Sequence, residues 1–185
     1  MSQDAPFHNL LTFYAARTPH PNTRTIRLTD SLYGNLSLGL DFPAALAIAL
    51  GRHLALRNTS LLSLDIHVPT VSTKHTLLDG IDVDEKASYS ASEMWALGGK
   101  NGWSGSLDAV GLWALAAGVG SGRIEGRDVV SFQRGTLLGE IERRRKGREE
   151  VLPLWRGGPI SVAGHSWFVK RLFGVDVYRV DGKRD

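Results

Sequence analysis

The chain contains no cysteine among its 185 residues, and this absence removes several kinds of chemistry at once. Without a thiol there is no disulfide, no iron–sulfur cluster, no thiolate metal site and no cysteine nucleophile. Long apolar runs are also missing, since no stretch approaches the roughly 20 residues that a membrane-spanning helix needs. The N-terminal segment MSQDAPFHNL lacks the basic and apolar regions of a secretory signal. The sequence therefore predicts a soluble, cytoplasmic protein.

A large excess of charge of one sign is missing as well, because the net charge is only +3. The one dense basic run is Arg143-Arg144-Arg145-Lys146, which acidic residues flank on both sides. Cations are favoured at a helix C-terminus, so this run predicts a solvated helix end. It has no interleaved aromatic residues to stack on bases, and we expect no nucleic-acid partner.

Apolar residues recur at helical spacing along the N-terminal half of the chain, and the alternation typical of strands is scarce. The spacing predicts three helices, over 7–14, from Thr29 to about Gly34, and over 43–56. In the third helix Leu46, Leu50 and Leu54 step by four, which favours a closely packed face. Over 59–76 the pattern permits either a helix or a short strand, followed by a loop.

The C-terminal half continues the helical pattern and brings the predicted total to about seven helices. Ser90 and Glu93 have the spacing of a capping box, which marks the start of a helix. Later segments predict further helices, ending near Ala117, running unbroken over 130–141, and running from about Ile160 to Phe173. The sequence therefore predicts an all-α fold, a single-domain helical bundle over residues 1–185.

The segment 84–110 carries motifs that resemble those of a known family. DEK at 84–86 stands where that family has an acidic triplet, ASYS at 87–90 keeps the motif that follows, and Asn101 lies in the expected glycine-rich turn. On these motifs the chain resembles the haem-thiolate haloperoxidases, the chloroperoxidases and unspecific peroxygenases found chiefly in fungi. The resemblance implies a chloroperoxidase-like helical fold with a pocket of haem dimensions.

The chain departs from this family at the residues that carry the chemistry. Asp4-Ala5-Pro6 replaces the family's Pro-Cys-Pro segment, so the resemblance places Ala5 where a cysteine would bind the haem iron. Lys86 replaces a carboxylate of the triplet that holds magnesium in the family, and an ammonium supplies positive charge without coordination. His165 stands in place of a distal glutamate, and an imidazole is well suited to proton transfer near neutral pH.

The missing thiolate predicts a changed activity. The chain has lost the strongly electron-donating iron ligand used for O–O cleavage, which leaves an apolar pocket for another molecule. We therefore expect a cofactor-independent enzyme of natural-product biosynthesis, a cyclase or pericyclase or an isomerase, acting on a hydrophobic small molecule. No metal is expected.

The same interpretation assigns roles to individual residues. His165, Lys86 and Tyr89 are the predicted catalytic residues, which would polarise a substrate carbonyl as charge develops. The predicted substrate-binding residues are Trp95, Trp167, Phe168, Asp84 and Ser88.

Two alternatives stay open. The first is a haem-dependent peroxidase or peroxygenase with a non-cysteine axial ligand. In that case His8, one helical turn beyond Ala5, would be the cofactor-binding residue. The second alternative is a non-catalytic protein that binds a small molecule. The remaining histidines show no metal-ligand spacing and are expected to be structural or exposed; they are His20, His53, His67 and His75.

Overall fold

Eight α-helices make up most of the chain that this computed structural model describes, residues 5–17, 24–58, 63–146 and 151–178. They are α1 (Pro6–Ala15), α2 (Leu28–Ser37), α3 (Phe42–Leu56), α4 (Ala91–Gly98), α5 (Gly102–Ala116), α6 (Gly126–Gln133), α7 (Leu137–Lys146) and α8 (Val162–Phe173). Two antiparallel pairs of short strands complete the regular structure, β1 (Thr25–Ile26) with β2 (Ile66–His67) and β3 (Ser88–Tyr89) with β4 (Ile124–Glu125). The predicted all-α class is confirmed.

Close packing divides the chain into two compact units. The first unit consists of Met1–Thr12 and Val71–Leu138, and the second consists of Phe13–Thr70 and Gly139–Asp185. Most of the first unit is therefore inserted, in the sequence, between the two parts of the second. The organisation of residues 1–185 as a single domain stays a prediction.

In the first unit, α4 and α5 pack together so closely that two positions have no room for a side chain. A Cβ on Gly98 would lie 2.2 Å from the carbonyl oxygen of Gly105, and a Cβ on Gly105 would lie 2.4 Å from that of Gly98. The predicted start of α4 is confirmed, because Ser90 and Glu93 form the capping box and Glu93 accepts the Ser90 N–H at 2.7 Å. The side chain of Met94 is buried behind this cap.

The single helix predicted over 130–141 is wrong, because this stretch contains the end of α6 and the start of α7. Gly135 lies between them with a φ of +78°, a conformation that favours glycine. A Cβ at this position would also lie 2.2 Å from the carbonyl oxygen of Pro6. The apolar spacing continues across the break because Val129 on α6 and Leu137 on α7 are both buried.

In the second unit, α2 continues to Ser37 and passes the predicted end near Gly34. A Cβ on Gly34 would lie 2.4 Å from Cδ1 of Tyr14, so the glycine makes room for this ring and does not stop the helix. The start of α2 agrees with the prediction to within one residue. There Asp30 accepts the Arg27 N–H at 2.8 Å.

The helix α3 lies where the sequence predicts one, but the predicted leucine face is wrong. Ala45 and His53 are buried, whereas Leu50 and Leu54 are exposed, Leu54 to 61%. The small alanine side chain lets α3 approach α2, where the Asn35 side chain donates to the Ala45 carbonyl oxygen at 2.8 Å. Because the alanine side of α3 packs against α2, Leu50 and Leu54 lie on the outward side of the helix.

The described part of 59–76 contains a strand and no α-helix, which resolves the choice that the sequence left open. It comprises β2 and a 3₁₀ turn at Val68–Thr70. Residues 59–62 lie outside the described chain.

The basic end of α7 is only partly the solvated end that the sequence predicts. Arg143 and Lys146 are exposed, but Arg145 is 1% exposed. The Arg145 Nε donates to the carbonyl oxygen of Leu38 at 3.3 Å. Arg145 lies one helical turn beyond the buried Ile141, so helix periodicity directs its side chain inward.

Local capping signals define both ends of α8. The Ser161 hydroxyl accepts the Gly164 N–H at 3.2 Å, so the helix begins at Val162 and not at Ile160. It ends at Phe173 as predicted, and the following Gly174 has a φ of +67°.

Candidate functional site

The predicted site residues fall in both units. The first unit contains His8, Asp84, Lys86, Ser88, Tyr89 and Trp95. The second unit contains His165, Trp167 and Phe168. The predicted catalytic residues are therefore divided, with Lys86 and Tyr89 in the first unit and His165 in the second.

A polar turn in the first unit holds Asp84, Lys86 and Tyr89 together. The Tyr89 hydroxyl accepts the Asp84 N–H at 3.1 Å, and Oδ1 of Asp84 accepts the Lys86 N–H at 2.9 Å. Gly126 packs against this turn, where a Cβ would lie 2.0 Å from the Asp84 carbonyl oxygen. The Lys86 side chain is exposed. The polar atoms of Asp84 and Tyr89 thus stabilise the turn itself, and their roles toward a substrate stay predictions.

Arg123 is the main residue of this region that the sequence analysis missed. Its Nε donates to the Ser88 hydroxyl at 2.9 Å, and its Nη2 donates to the Ser88 carbonyl oxygen at 2.5 Å and to Glu93 at 2.7 Å. The pairing of β3 with β4 brings Arg123 to this position from the glycine-rich link. Hydrogen bonds from Ser90, and then the Arg123 guanidinium, lower the pKa of Glu93. Ser88 is therefore engaged by an arginine within its own unit.

The first unit also contains a carboxyl group with a raised pKa. Asp108 lies on α5, and burial raises its pKa to about 6. No motif singles it out in the sequence. Trp95, the predicted substrate-binding residue on α4, is exposed, and its carbonyl oxygen accepts the Ser106 hydroxyl at 3.0 Å.

His8 does not fit the role of an axial haem ligand through its Nε2 atom. This nitrogen lies 2.9 Å from the carbonyl oxygen of Val71, which requires the tautomer with a proton on Nε2. A protonated nitrogen has no lone pair for iron. Coordination through Nε2 would therefore require this hydrogen bond to break.

In the second unit, His165 has an unsatisfied buried nitrogen. Its Nε2 is buried and has no hydrogen-bond partner among the described residues. The hydroxyl of the next residue, Ser166, is likewise buried and without a partner in the described part of the chain. Burial lowers the pKa of His165, and the charge of Asp41 opposes this effect in part. Burial therefore favours the neutral form of the imidazole.

Phe168 and Trp167 differ in their relation to His165. Phe168 follows His165 by three residues, so the two lie on the same side of α8 one turn apart. Its ring also contacts Phe173, with centroids 6.3 Å apart. Trp167 is 69% exposed on the outer side of the helix. The structure thus brings Phe168 to the side of α8 that carries His165, and it does not bring Trp167 there.

A layer of polar side chains connects α1, α2 and α3 in the second unit. Nη2 of Arg52 donates to the Tyr14 hydroxyl at 2.8 Å, and the Tyr14 hydroxyl donates to Asn35 at 3.2 Å. His53 hydrogen-bonds to the Ser31 hydroxyl at 2.8 Å and to the carbonyl oxygen of Leu64. His53 is a satisfied core histidine, as expected, whereas nothing in the sequence indicated Arg52.

Comparison of the chain with family models, with curated proteins and with solved structures finds no match. The resemblance to the haem-thiolate haloperoxidases therefore stays a prediction from the motifs alone. In the part of the chain that the structure describes, no helix combines the length and the apolarity needed to cross a membrane.

Proposed function

We propose that the protein is a cofactor-independent enzyme, a cyclase or isomerase, that acts on a hydrophobic small molecule beside His165. The proposal rests on the second unit, where His165 is half-buried on α8 beside the buried Ser166 and Val169. Lys86 and Tyr89 belong to the first unit, and their participation is a separate prediction.

The unsatisfied Nε2 of His165 is the observation that carries the proposal. Buried polar atoms in proteins are nearly always hydrogen-bonded, and an unmade bond costs about 1–3 kcal/mol. A ligand with a polar atom next to Nε2 would make the missing bond.

The surroundings of His165 support an apolar ligand. Phe173 stacks on Phe42 with ring centroids 5.7 Å apart, and its ring lies 5.7 Å from that of Tyr33. Together with Phe168, these rings place aromatic surface on α2, α3 and α8. Pockets for small molecules commonly combine such apolar walls with a few polar groups that fix orientation.

A neutral imidazole suits a reaction in which the substrate keeps all its atoms. In an isomerisation, Nε2 would take a proton from one carbon of the substrate and return it to another. In a cyclisation, an Nε2–H group would donate a hydrogen bond to a carbonyl oxygen while bonds form and break only within the substrate. Neither reaction requires a net change in the protein.

The direct test measures turnover with candidate substrates. Linear and monocyclic polyenes that carry a carbonyl group are incubated with the protein, and liquid chromatography with mass spectrometry detects products of unchanged mass. We expect more than one product molecule per protein molecule, and a rate at least about 100-fold lower for His165→Phe. His75→Phe is the matched control, because His75 is exposed and pairs with Asp79 at 3.0 Å.

The rival functions give different results in the same protein. Tight binding of a polyene without turnover would favour the carrier. An unchanged rate of product formation in His165→Phe would instead show that His165 is not the catalytic residue. One haem per chain with a Soret band, after addition of haemin, would favour the haem enzyme if His8→Ala removes that band.

A further inference from the structure

Arg52 on α3 is a half-buried cation with an unsatisfied nitrogen. Its Nη1 atom is buried and has no hydrogen-bond partner among the described residues. In the same part of the chain, its guanidinium hydrogen-bonds to and stacks on neutral groups only, those of Tyr14 and Asn35. An arginine in a protein is always charged, and a buried charge is costly unless it is paired. The polar layer between α1, α2 and α3 therefore contains a positive charge that needs a counter-charge.

The rest of the Arg52 guanidinium is held in place by its neighbours. Its Nη2 donates to the Tyr14 hydroxyl at 2.8 Å and lies 3.4 Å from Oδ1 of Asn35. Its Cζ lies 3.8 Å from the centre of the Tyr14 ring, a distance at which a cation is attracted to the face of the ring. These contacts orient the guanidinium and leave Nη1 as the donor for a further group.

Arg17 in the same unit shows the partner that Arg52 lacks. The Cζ of Arg17 lies 3.7 Å from the centre of the Phe13 ring, so this arginine also stacks on an aromatic residue of α1. Its Nη2 donates to the Ser37 hydroxyl at 3.0 Å and pairs with the Glu142 carboxylate at 2.9 Å. The two arginines share the stacking contact, but within the described ranges only Arg17 of the two is paired with a carboxylate.

We propose that Arg52 binds the oxyanion of a small ligand, a carboxylate or phosphate group, through Nη1. Guanidinium groups match the geometry of both anions, and hydrogen bonds between charged partners are about twice as strong as neutral ones. The anion would accept the unmade hydrogen bond and balance the charge, as Glu142 does for Arg17. Arg52 is half-buried, so a small anion can approach this residue from solvent.

The Arg52 site is separate from the site proposed for the hydrophobic substrate. Asp41, whose charge acts on His165, caps the start of α3, whereas Arg52 lies near the other end of this helix. A substrate beside His165 does not need Arg52. The anion is therefore a second ligand, and this inference does not depend on the proposed reaction.

The binding test follows the side-chain Nε–Hε signals of the arginines by NMR of the isotope-labelled protein. Inorganic phosphate, acetate and chloride are added separately at constant ionic strength. We expect the Arg52 signal to shift and to saturate with phosphate or acetate and not with chloride, which lacks the oxygen pair that a guanidinium recognises. The Arg17 signal should stay in place, because Glu142 already pairs with it. The anion that saturates at the lower concentration identifies the ligand group as phosphate or carboxylate.

Variants assign the binding to Arg52. Arg52→Gln should lower the affinity for the preferred anion at least about tenfold in calorimetric titration, because the charge-assisted hydrogen bond is lost. Arg57→Gln is the matched control, since it removes one positive charge from an exposed residue at the end of the same helix and should leave the affinity unchanged. Arg52→Lys keeps the charge without the planar fork, so it should bind with intermediate affinity, and it serves as the test if Arg52→Gln does not fold.

Three results would overturn the proposal. The first is an Arg52 signal that does not shift with phosphate or with acetate. The second is an equal shift with chloride, or an equal shift of the Arg17 signal, because either would show unspecific screening of charge. The third is an equal loss of affinity in Arg57→Gln and Arg52→Gln.

Discussion

The two units differ in where they keep their ionisable side chains. In the first unit, Arg123 and Glu93 form an exposed pair at 2.7 Å. In the second unit, Arg145 and His53 are buried and bond to neutral carbonyl or hydroxyl groups, while large apolar side chains such as Trp155 are exposed. Exposed ion pairs contribute little to stability, whereas buried hydrogen bonds are costly to break. These examples teach that an arginine can be a partly exposed ion-pair partner in one unit and a buried donor to the backbone in the other.

The largest expected effect comes from a substitution at a backbone contact in the first unit. If the α4–α5 contact stabilises this unit, Gly98→Ala should lower the free energy of unfolding by at least about 3 kcal/mol, because the new Cβ meets backbone. Gly111→Ala on α5 is the control. A Cβ on Gly111 meets nothing within 4 Å, so we expect a gain of about 0.5–1 kcal/mol. Denaturant unfolding measures both, and similar values for the two variants would contradict the contact's importance.

A pair of arginine variants sharpens the contrast between the units. Arg145→Ala should destabilise the second unit by about 2 kcal/mol, since it leaves the Leu38 carbonyl oxygen without this donor and opens a cavity. Arg123→Ala should cost only about 1 kcal/mol, because its bonds to Ser88 and Glu93 lie where water can replace the guanidinium. Urea titration of both variants gives the two values. The contrast fails if Arg123→Ala is the more damaging change.

The smallest expected effect concerns Asp108. It belongs to the first unit, but burial raises its pKa, unlike that of the exposed Glu93. Its pKa is raised from 3.8 to about 6 in the folded state, so the folded chain binds more protons than the unfolded chain between these values. Stability should therefore fall as pH rises from about 4 to about 6. Asp108→Asn should flatten this slope and raise stability at pH 7 by about 1 kcal/mol. Thermal unfolding across this pH range measures the slope, and an unchanged slope in Asp108→Asn would assign it to another group.

The parts of the fold that follow from neighbouring residues could be predicted. The capping box of Ser90 and Glu93 and the stop at Gly174 act within one helical turn, and both are confirmed. The break at Gly135 and the continuation of α2 past Gly34 depend instead on Pro6 and Tyr14, which are distant in the sequence. A glycine's role as a stop or as a space for a neighbour cannot be told from local spacing.

The site was less predictable than the fold for the same reason. His165 was identified from its position in a motif, and the buried Nε2 without a partner among the described residues is a further observation in its favour. Arg123 was missed because its contact with Ser88 depends on the pairing of two short strands, 35 residues apart. Arg52 was missed because the leucine spacing of α3 predicted the wrong buried face.

The order of segments along the chain has a consequence for synthesis on the ribosome. The second unit starts with Phe13–Thr70, but it needs Gly139–Asp185, which are translated after the whole first unit. The first unit has all its segments once Leu138 has left the exit tunnel, and domains commonly fold as units during synthesis. During synthesis, Phe13–Thr70 is therefore exposed without the C-terminal segment that completes the second unit. We expect chaperones to bind this incomplete unit until Gly139–Asp185 has been translated.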